Sequence, residues 1–268
     1  HGSCMRRFVI GDIHGCSKAL RTLIETIDPR ADDELVFLGD YVDRGPDTRN
    51  VVDQILELRQ RCRVVTLRGN HEIMLMAVAL RGLDDTIWLN NGGRATVTSY
   101  GGCLSKIPPE HLVFFQELVP YYETTDTIFV HAGYLPHLSM SDQDESTIYW
   151  SHLQTPYPPP HRSGKRVFVG HTPQLDGDIY DGGHVVCIDT CCFGRGYLTA
   201  YEVTTDEIIQ ADRHGFLRRA PVLAPVAHGV ARLGRSLLSF CRQQFGRTPV
   251  GQADSQSAVN LMQESAES

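Results

Sequence analysis

The chain has 268 residues, a formal net charge of −7, 41% apolar residues and 21% charged residues. This composition is that of a soluble globular protein, and the length allows one large domain or one domain with an appendage. The negative charge argues against general nucleic-acid binding, which relies on neutralising phosphates over a wide surface. No stretch approaches the roughly 20 apolar residues of a membrane span. Residues 1–4 precede Met5 as an expected expression remnant, and we expect a cytoplasmic protein.

Short apolar runs rich in β-branched residues recur along the chain and predict buried strands. Helical periodicity predicts helices over 17–26, 48–60 and 108–118. Residues 121–130 predict a hairpin, and the Pro- and Gly-rich residues 154–165 predict a surface loop. Early strands that alternate with helices indicate an α/β sheet with crossover connections. The predicted strands are RRFVI (6–10), ELVFL (34–38), RVVTL (63–67), TIFV (127–130), RVFV (166–169), VVCI (185–188) and LTAYEV (198–203).

The composition changes towards the carboxyl terminus. Residues 213–247 contain seven arginines and no acidic residue, and apolar side chains over 226–245 recur on one helical face. This pattern predicts a basic amphipathic helix in an extension, residues 213–248, that follows a main domain of residues 5–212. The helix is expected to dock on its own domain, or else to contact a membrane surface or a protein partner. Residues 249–268 are predicted to be disordered.

Five of the predicted strands are followed at once by residues that can bind a metal. FVI precedes GDIHG, LVFL precedes GDYVDRG, VVTL precedes RGNHE, TIFV precedes HAG and VFV precedes GHTP. The carboxyl ends of the strands in an open α/β sheet surround its ligand crevice. One acid or histidine at such a place is more often a cap, but the joint pattern predicts a shared metal site. The predicted ligands are Asp12, His14, Asp40, Asn70, His131 and His171.

These side chains offer only oxygen and imidazole nitrogen to a metal. A set without thiolate disfavours a structural zinc site and suits Mn²⁺, Fe²⁺ or catalytic Zn²⁺. Six ligands can hold two ions when one carboxylate bridges them, and Asp40, central in chain order, is the expected bridge. We expect two divalent ions, with Mn²⁺ preferred and Fe²⁺ or Zn²⁺ as the alternatives.

The motifs GDIHG, GDYVDRG, RGNHE, HAG and GHTP, in this order, resemble the phosphoprotein phosphatase branch of the calcineurin-like metallophosphoesterases. The likeness covers residues 6–205 and is greatest to the compact bacterial and phage protein phosphatases, to which WLNNGG (88–93) is also similar. It implies a four-layer α/β/β/α sandwich for a metallophosphatase domain over residues 5–212. It also implies a first ion held by Asp12, His14 and Asp40, and a second held by Asp40, Asn70, His131 and His171.

Two arginines and a histidine–aspartate pair are the predicted catalytic side chains. Arg44 and Arg68 are expected to bind the substrate phosphate, because a guanidinium matches two phosphate oxygens and stabilises charge that grows on them. By resemblance, His71 protonates the leaving group and Asp43 orients its imidazole. We interpret Glu72 as a structural acid in the first turn of a helix.

The third phosphate-binding arginine of the phage-type enzymes has no counterpart here. In those enzymes it follows an Ile–Trp pair, whereas IYWSHLQ puts His152 at that place. His152 is the expected substitute, and Arg162 on the neighbouring loop is the alternative.

The preferred function is that of a serine/threonine protein phosphatase, which hydrolyses phosphomonoesters by in-line attack of a metal-bound hydroxide. The alternative is a symmetrical bis(5'-nucleosyl)-tetraphosphatase, because IDTCCFGRGYLT (188–199) resembles that branch as well. RGNHE favours the protein phosphatases, since the tetraphosphatases tend to end this motif in Asp. A non-catalytic module that binds phosphorylated partners is disfavoured by the complete ligand set. The expected partner is a phosphorylated protein or a small phosphorylated substrate.

Overall fold

The structure is a computed structural model and describes residues 5–218. Two five-stranded sheets form its centre. The first sheet contains β1 (Arg7–Ile10), β2 (Glu34–Phe37), β3 (Arg63–Thr66), β9 (Tyr197–Glu202) and β10 (Ile208–Asp212), in the order β10-β9-β1-β2-β3. The second contains β4 (Tyr121–Glu123), β5 (Thr127–Val130), β6 (Arg166–Val169), β7 (Tyr180–Asp181) and β8 (Val185–Cys187), in the order β4-β5-β6-β8-β7.

Both sheets are mixed, and each has a parallel centre. Strands β1, β2 and β3 run parallel, with Val9 opposite Val36 and Val36 opposite Val65. Strands β5, β6 and β8 are likewise parallel, while β9, β10, β4 and β7 pair antiparallel to their neighbours. Parallel strands are covered on both faces, which explains why their sequences are continuous apolar runs rather than alternating ones.

Seven helices surround the sheets or connect their strands. The helix α1 buries Leu20, Leu23 and Ile27 and packs on β9 and β10, and α2 packs on β3. The helix α7 buries Ile148 and Tyr149 against the second sheet. The helices are α1 (Ser17–Ile27), α2 (Thr48–Leu58), α3 (Asn70–Arg81), α4 (Thr86–Trp88), α5 (Arg94–Ser99), α6 (Pro109–Gln116) and α7 (Glu145–Trp150).

The core between the two sheets is apolar and fully enclosed. Val36 and Leu38 from the first sheet pack with Phe129, Phe168 and Val186 from the second, and each is 0% exposed. The outer faces of the sheets are covered by α1 and α2 on one side and by α7 on the other. The result is the predicted four-layer α/β/β/α sandwich.

The structure contains all seven strands predicted from the sequence, the hairpin, the surface loop and the predicted helices α1, α2 and α6. The sequence indicated α3 only through the first-turn position of Glu72, and it missed α7, the helical segment 86–99, β7 and β10. The predicted basic helix over 226–245 and the tail at 249–268 lie outside the described residues. Within residues 5–218, no helix has both the length and the apolar character needed to cross a membrane.

Candidate metal centre and active site

The loops after β1, β2, β3, β5 and β6 meet at one edge of the sandwich, and they carry the six predicted ligands. Backbone and side-chain bonds hold these loops together. The N–H of His14 donates to the carbonyl of Asp40 (2.8 Å), and the N–H of His171 donates to Oδ2 of Asp12 (3.0 Å). The second bond joins the two sheets. Side chains that are far apart in sequence therefore reach one place.

Asp40 lies between two groups of histidines. Its Oδ2 atom is 3.4 Å from Nε2 of His14, and its Oδ1 atom is 3.5 Å from Nε2 of His131. Two sets of side chains have ligand atoms within 4.8 Å of one another, as a metal ion would require, and Asp40 belongs to both. The sets are His14, Asp40 and His71, and Asp40, His131 and His171. Asp40 is thus shared by the two sets, and its role as the bridging ligand stays a prediction.

The other two predicted ligands lie at the edges of these sets. The side-chain oxygen of Asn70 is 3.1 Å from Nε2 of His131, on the side of the second set. Oδ1 of Asp12 is buried and has no hydrogen-bond partner in the described part of the chain. A buried carboxylate oxygen without a partner is costly, and a cation would satisfy it. We refer to the six predicted ligands as the cation cluster.

Hydrogen bonds fix which nitrogen of two histidines faces the cation cluster. Nδ1 of His14 contacts the carbonyl of Val42 (2.8 Å), and Nδ1 of His131 contacts the carbonyl of Leu38 (2.9 Å). A carbonyl only accepts, so Nδ1 carries the proton in both rings. The unprotonated Nε2 atoms then face Asp40, and that of His14 accepts a hydrogen bond from Arg44 (2.7 Å). This is the arrangement of a metal-binding histidine held by a backbone carbonyl.

The protonation states also fit a pair of cations. Burial lowers the pKa of His131 to about 4 and the pKa of His14 and His171 far below the usual value, so these rings are neutral. Burial and neighbouring carboxyl groups raise the pKa of Asp12 and Asp40 well above the usual value. A neutral imidazole is the form that binds a metal, and divalent cations would offset the repulsion between the carboxylates.

The backbone at this edge is unusual. His14, Asp40, Asp43, Arg44 and His171 have positive φ angles of 45°, 51°, 71°, 65° and 60°. Non-glycine residues seldom adopt this left-handed conformation, which costs about 1–3 kcal/mol each. Five such residues at one site show that the fold holds these side chains in position against a local preference.

A buried pair, His71 and Asp43, borders the cation cluster. Nδ1 of His71 donates to Oδ2 of Asp43 (2.6 Å). The Trp88 indole N–H lies 3.0 and 2.9 Å from the two Asp43 carboxylate oxygens, and the Thr96 hydroxyl donates to Oδ1 (2.7 Å). Burial raises the pKa of Asp43 to about 7, while Thr96 and Trp88 act to lower it. We refer to Asp43 and His71 as the dyad.

The segment that supplies Trp88 and Thr96 was not assigned a role from the sequence. A kink at Gly92, within Leu89–Gly93, separates the two residues. Gly92 has φ 113°, and its carbonyl accepts the N–H of Arg44 (3.2 Å). A Cβ atom at Gly92 would lie 2.7 Å from Cγ of Arg44, so only glycine fits. WLNNGG was the available signal, but it does not reveal which side chains it contacts.

Arg44 reaches the cation cluster, as predicted. Its Nη1 atom lies 2.7 Å from Nε2 of His14. The guanidinium lies over the ring of Phe193, 4.8 Å from the ring centroid, and the same ring meets the edge of His14 at 5.1 Å. Phe193 was missed in the sequence, where the segment 188–199 was noted only for its resemblance.

The other predicted phosphate-binding residues are placed differently. Arg68 donates from Nη2 to the carbonyl of Leu118 (3.0 Å), and its hydrogen bonds within residues 5–218 do not reach the cation cluster. The ring of His152 stacks on His171, with centroids 4.4 Å apart. Arg162 is exposed on its loop. Arg44 and His152 thus contact histidines of the cluster, whereas the side chain of Arg68 is bonded to the backbone at Leu118.

Glu72 stabilises more of the backbone than the first turn of its own helix. Its buried carboxylate accepts the N–H groups of Gly69 (3.0 Å), Asp40 (2.9 Å), Tyr41 (2.8 Å) and Val42 (3.2 Å). The first belongs to its own helix terminus, and the other three belong to the loop after β2. Glu72 thus ties the loop that carries Asp40 to the loop that carries Asn70.

Known proteins resemble this chain in sequence. The asymmetrical bis(5'-nucleosyl)-tetraphosphatase PrpE of Oceanobacillus iheyensis is 27% identical over 244 residues, which is 80% of this chain and 95% of that protein. The symmetrical bis(5'-nucleosyl)-tetraphosphatase of Janthinobacterium sp. (strain Marseille) is 42% identical over 78 residues, 28% of this chain and 27% of that enzyme. The second match therefore spans only about a quarter of either chain.

A solved structure and a family model describe the larger part of the chain. The crystal structure of a candidate diadenosine tetraphosphatase has a TM-score of 0.61 and 20% identity, and the match covers 77% of this chain and 93% of that one. At that identity, the likeness shows the fold alone. Residues 5–203 match the family model of the calcineurin-like phosphoesterases. The chain therefore belongs to the calcineurin-like phosphoesterase family and is a metal-dependent phosphoester hydrolase.

Proposed function

We propose that this chain hydrolyses bis(5'-nucleosyl) tetraphosphates at a two-metal centre built on Asp40. The reaction class is supported by the position of Asp40 between two sets of possible ligands. Asp12, His14 and Asp40 would hold the first ion, and the second would be held by Asp40, Asn70, His131 and His171. Two divalent cations, of which Mn²⁺ suits this oxygen and imidazole set, would polarise the phosphoryl group and lower the pKa of an attacking water.

The side chains around the cluster have separate tasks in this reaction. Arg44 is the guanidinium that reaches the cluster, and it would bind phosphate oxygens and stabilise the charge that grows on them. His71 would donate a proton from Nε2 to the departing oxygen, which requires the protonated ring, while its Nδ1–H stays bound to Asp43. Burial lowers the pKa of His71 well below its usual value, so the ring needs a negative partner to hold that proton. Asp43 would favour the protonated ring by its negative charge.

The substrate is inferred from the small number of cationic side chains that contact the cluster. A phosphomonoester carries about two negative charges at neutral pH, because its second pKa is about 6. An internal phosphate of a dinucleoside tetraphosphate carries a single charge and needs fewer cations. Of the three predicted phosphate-binding residues, Arg44 is the cation that contacts a ligand histidine, whereas Arg68 donates to the carbonyl of Leu118. Burial lowers the pKa of His152, so its ring there is neutral.

The names of the relatives favour the same substrate. The relative that matches along 95% of its length is a tetraphosphatase, and so is the relative with the 42% identical segment. A symmetrical bis(5'-nucleosyl)-tetraphosphatase is also the alternative that the sequence predicts to a protein phosphatase. The protein phosphatase remains the second candidate, because GDYVDRG and RGNHE, with Glu72 as its last residue, resemble that branch.

A direct competition tests the proposal. Manganese-loaded protein is given diadenosine tetraphosphate and a phosphoserine peptide at equal concentration, and the products are separated by chromatography. We expect a larger kcat/KM for the dinucleotide. Two ADP molecules would indicate symmetrical cleavage, and AMP with ATP would indicate asymmetrical cleavage. A larger kcat/KM for the peptide would overturn the proposal, and Asp40→Asn should abolish both reactions.

A substitution at position 152 tests the charge argument itself. His152→Arg restores a guanidinium at the place where the phage-type enzymes carry one. We expect kcat/KM to shift by about tenfold towards the phosphopeptide, because a second cation matches the dianionic monoester. His152→Gln is the matched neutral control and should leave the ratio of the two substrates unchanged. An unchanged ratio in His152→Arg would contradict the charge argument.

A further inference from the structure

A cavity of about 340 Å³ opens beside the cation cluster, and of its lining residues only His152 has been given a role above. We call it the side cavity; it is lined by residues 133–135, 147, 151–154, 156 and 158. It borders His152, whose ring stacks on His171 of the cluster. A group bound in the side cavity would therefore lie next to a phosphate held at the cluster.

The walls of the side cavity are fixed by hydrogen bonds. The Tyr134 hydroxyl donates to the carbonyl of Pro159 (3.0 Å), and the ring of His184 donates to the carbonyl of Pro158 (2.8 Å). On the side of the cluster, the N–H of Leu153 donates to the hydroxyl of Thr172 (2.9 Å). The Pro-rich loop is thereby tied to the second sheet, and the cavity has a defined shape without a ligand, as small-molecule sites usually do.

The lining selects against charged ligands. None of its residues is Lys, Arg, Asp or Glu. Leu135, Leu153 and Pro156 supply apolar surface, while Thr147 and Gln154 supply polar groups. A ligand with an apolar flat face and hydrogen-bonding edges fits this chemistry, whereas a phosphate group or an acidic side chain does not.

We infer that the side cavity binds one nucleoside of the substrate, the one adjoining the phosphate chain held at the cation cluster. A nucleobase has apolar faces and a polar edge, and it is uncharged. The volume lies at the lower end of small-molecule sites, about 300–1,000 Å³, which suits one nucleoside rather than a whole dinucleotide. The inference rests on the proposed function for its substrate, but it is tested by binding rather than by turnover of that substrate.

Two inhibitors that differ only in the nucleoside provide the test. Hydrolysis of p-nitrophenyl phosphate by the manganese-loaded protein is inhibited with α,β-methylene-ADP and, separately, with methylenediphosphonate. The ratio of the two inhibition constants measures the contribution of adenosine and cancels any change in basal turnover. We expect the nucleotide to bind at least about tenfold more tightly in the unaltered protein.

Leu153→Trp, which fills the side cavity, should bring the two constants to within about twofold of each other. Gln154→Ala removes a polar group at the exposed rim and leaves the cavity open. It should reduce the ratio of the two inhibition constants. Val113→Trp, at an exposed position on α6, is the matched control and should keep the full ratio. A ratio near one in the unaltered protein, or a full ratio in Leu153→Trp, would overturn the inference.

Two other outcomes separate the inference from the proposed function. If Leu153→Trp impairs a phosphopeptide with an apolar flanking residue and leaves the inhibitor ratio intact, the side cavity is a peptide site and the inference fails. If the unaltered protein shows the inhibitor ratio but hydrolyses diadenosine tetraphosphate more slowly than a phosphopeptide, the proposed function fails while nucleoside binding stands.

Discussion

The Trp88 indole N–H lies 2.9 and 3.0 Å from the two Asp43 carboxylate oxygens, and Oδ2 of the same carboxylate is 2.6 Å from Nδ1 of His71. The indole therefore acts on His71 through Asp43, without contacting the cation cluster itself. An N–H donor stabilises the ionised form of a carboxylate, and an ionised Asp43 favours a protonated imidazole. Trp88 is in this way a positioning residue for the dyad.

Trp88→Phe should move the acid limb of the pH–rate profile to higher pH. The substitution removes a donor that lowers the pKa of Asp43, so this pKa rises above its value of about 7. Asp43 then stays protonated up to a higher pH, and the limb shifts upward by about one unit. Profiles of kcat/KM against pH measure the shift. A substrate with a poor leaving group should also be slowed more than p-nitrophenyl phosphate, because p-nitrophenol leaves with little protonation.

Thr96 offers a matched pair of variants for the same effect. Thr96→Val removes the hydroxyl that donates to Asp43 (2.7 Å) and should shift the acid limb in the same direction as Trp88→Phe. Thr96→Ser keeps the hydroxyl and should restore the profile. Loss of activity in both Thr96 variants without a shift in pH dependence would mean that Thr96 only supports the local fold.

Asp40→Asn should make the metal-free protein more stable. Burial and the neighbouring Glu72 raise the pKa of Asp40 well above its usual value, so the folded state is penalised wherever the unfolded carboxyl is ionised. The penalty is absent below about pH 4 and grows as the pH rises above it. At neutral pH we expect a gain of about 1 kcal/mol, or about 2–4 °C in Tm.

Asp40→Asn should reduce the rise in Tm that Mn²⁺ causes, although it raises the Tm of the metal-free protein. Binding to the folded state raises Tm in the unaltered protein, whereas Asp40→Asn should lose most of that rise. Differential scanning fluorimetry with and without EDTA compares the two proteins. An undiminished response to Mn²⁺ in Asp40→Asn would show that Asp40 is not a shared ligand.

Glu72→Gln should destabilise the fold as well as the site. The buried carboxylate accepts four backbone N–H groups, and a neutral amide accepts fewer and adds N–H donors of its own. We expect a loss of about 3 kcal/mol in the free energy of unfolding, measured by urea denaturation. Glu110→Gln, at an exposed position in the first turn of α6, should change this free energy by less than about 0.5 kcal/mol. Equal effects at the two positions would contradict the structural role of Glu72.

Arg44→Gly and Arg44→Ala should differ in stability, and the glycine variant should be the more stable of the two. Both remove the guanidinium, but Arg44 has φ 65°, where an alanine is strained and a glycine is not. Arg44→Gly should therefore be more stable than Arg44→Ala by about 1 kcal/mol. Arg49 lies exposed in α2, where the order should reverse because glycine weakens a helix. The same order at both positions would argue against backbone strain at Arg44.

The sequence predicted those features of the fold and the site that depend on local patterns. Apolar runs located the strands, and the residues after them located Asp40 and His131, because parallel strands bring their carboxyl ends to one edge. Trp88 and Phe193 were missed, because their roles depend on contacts with residues more than 40 positions away. Arg68 donates to the carbonyl of Leu118, a contact that its motif does not reveal, and its phosphate-binding role stays a prediction.

The bond from His171 to Asp12 spans 159 positions of the chain and joins one sheet to the other. No fragment that contains a single sheet can hold the complete ligand set, so the centre assembles only after the two halves of the domain have met. Contacts of such long range form slowly during folding, since the intervening chain must first be ordered. Recovery of catalysis after dilution from denaturant should therefore lag behind recovery of secondary structure, and enzymatic activity would report the final docking event of the chain.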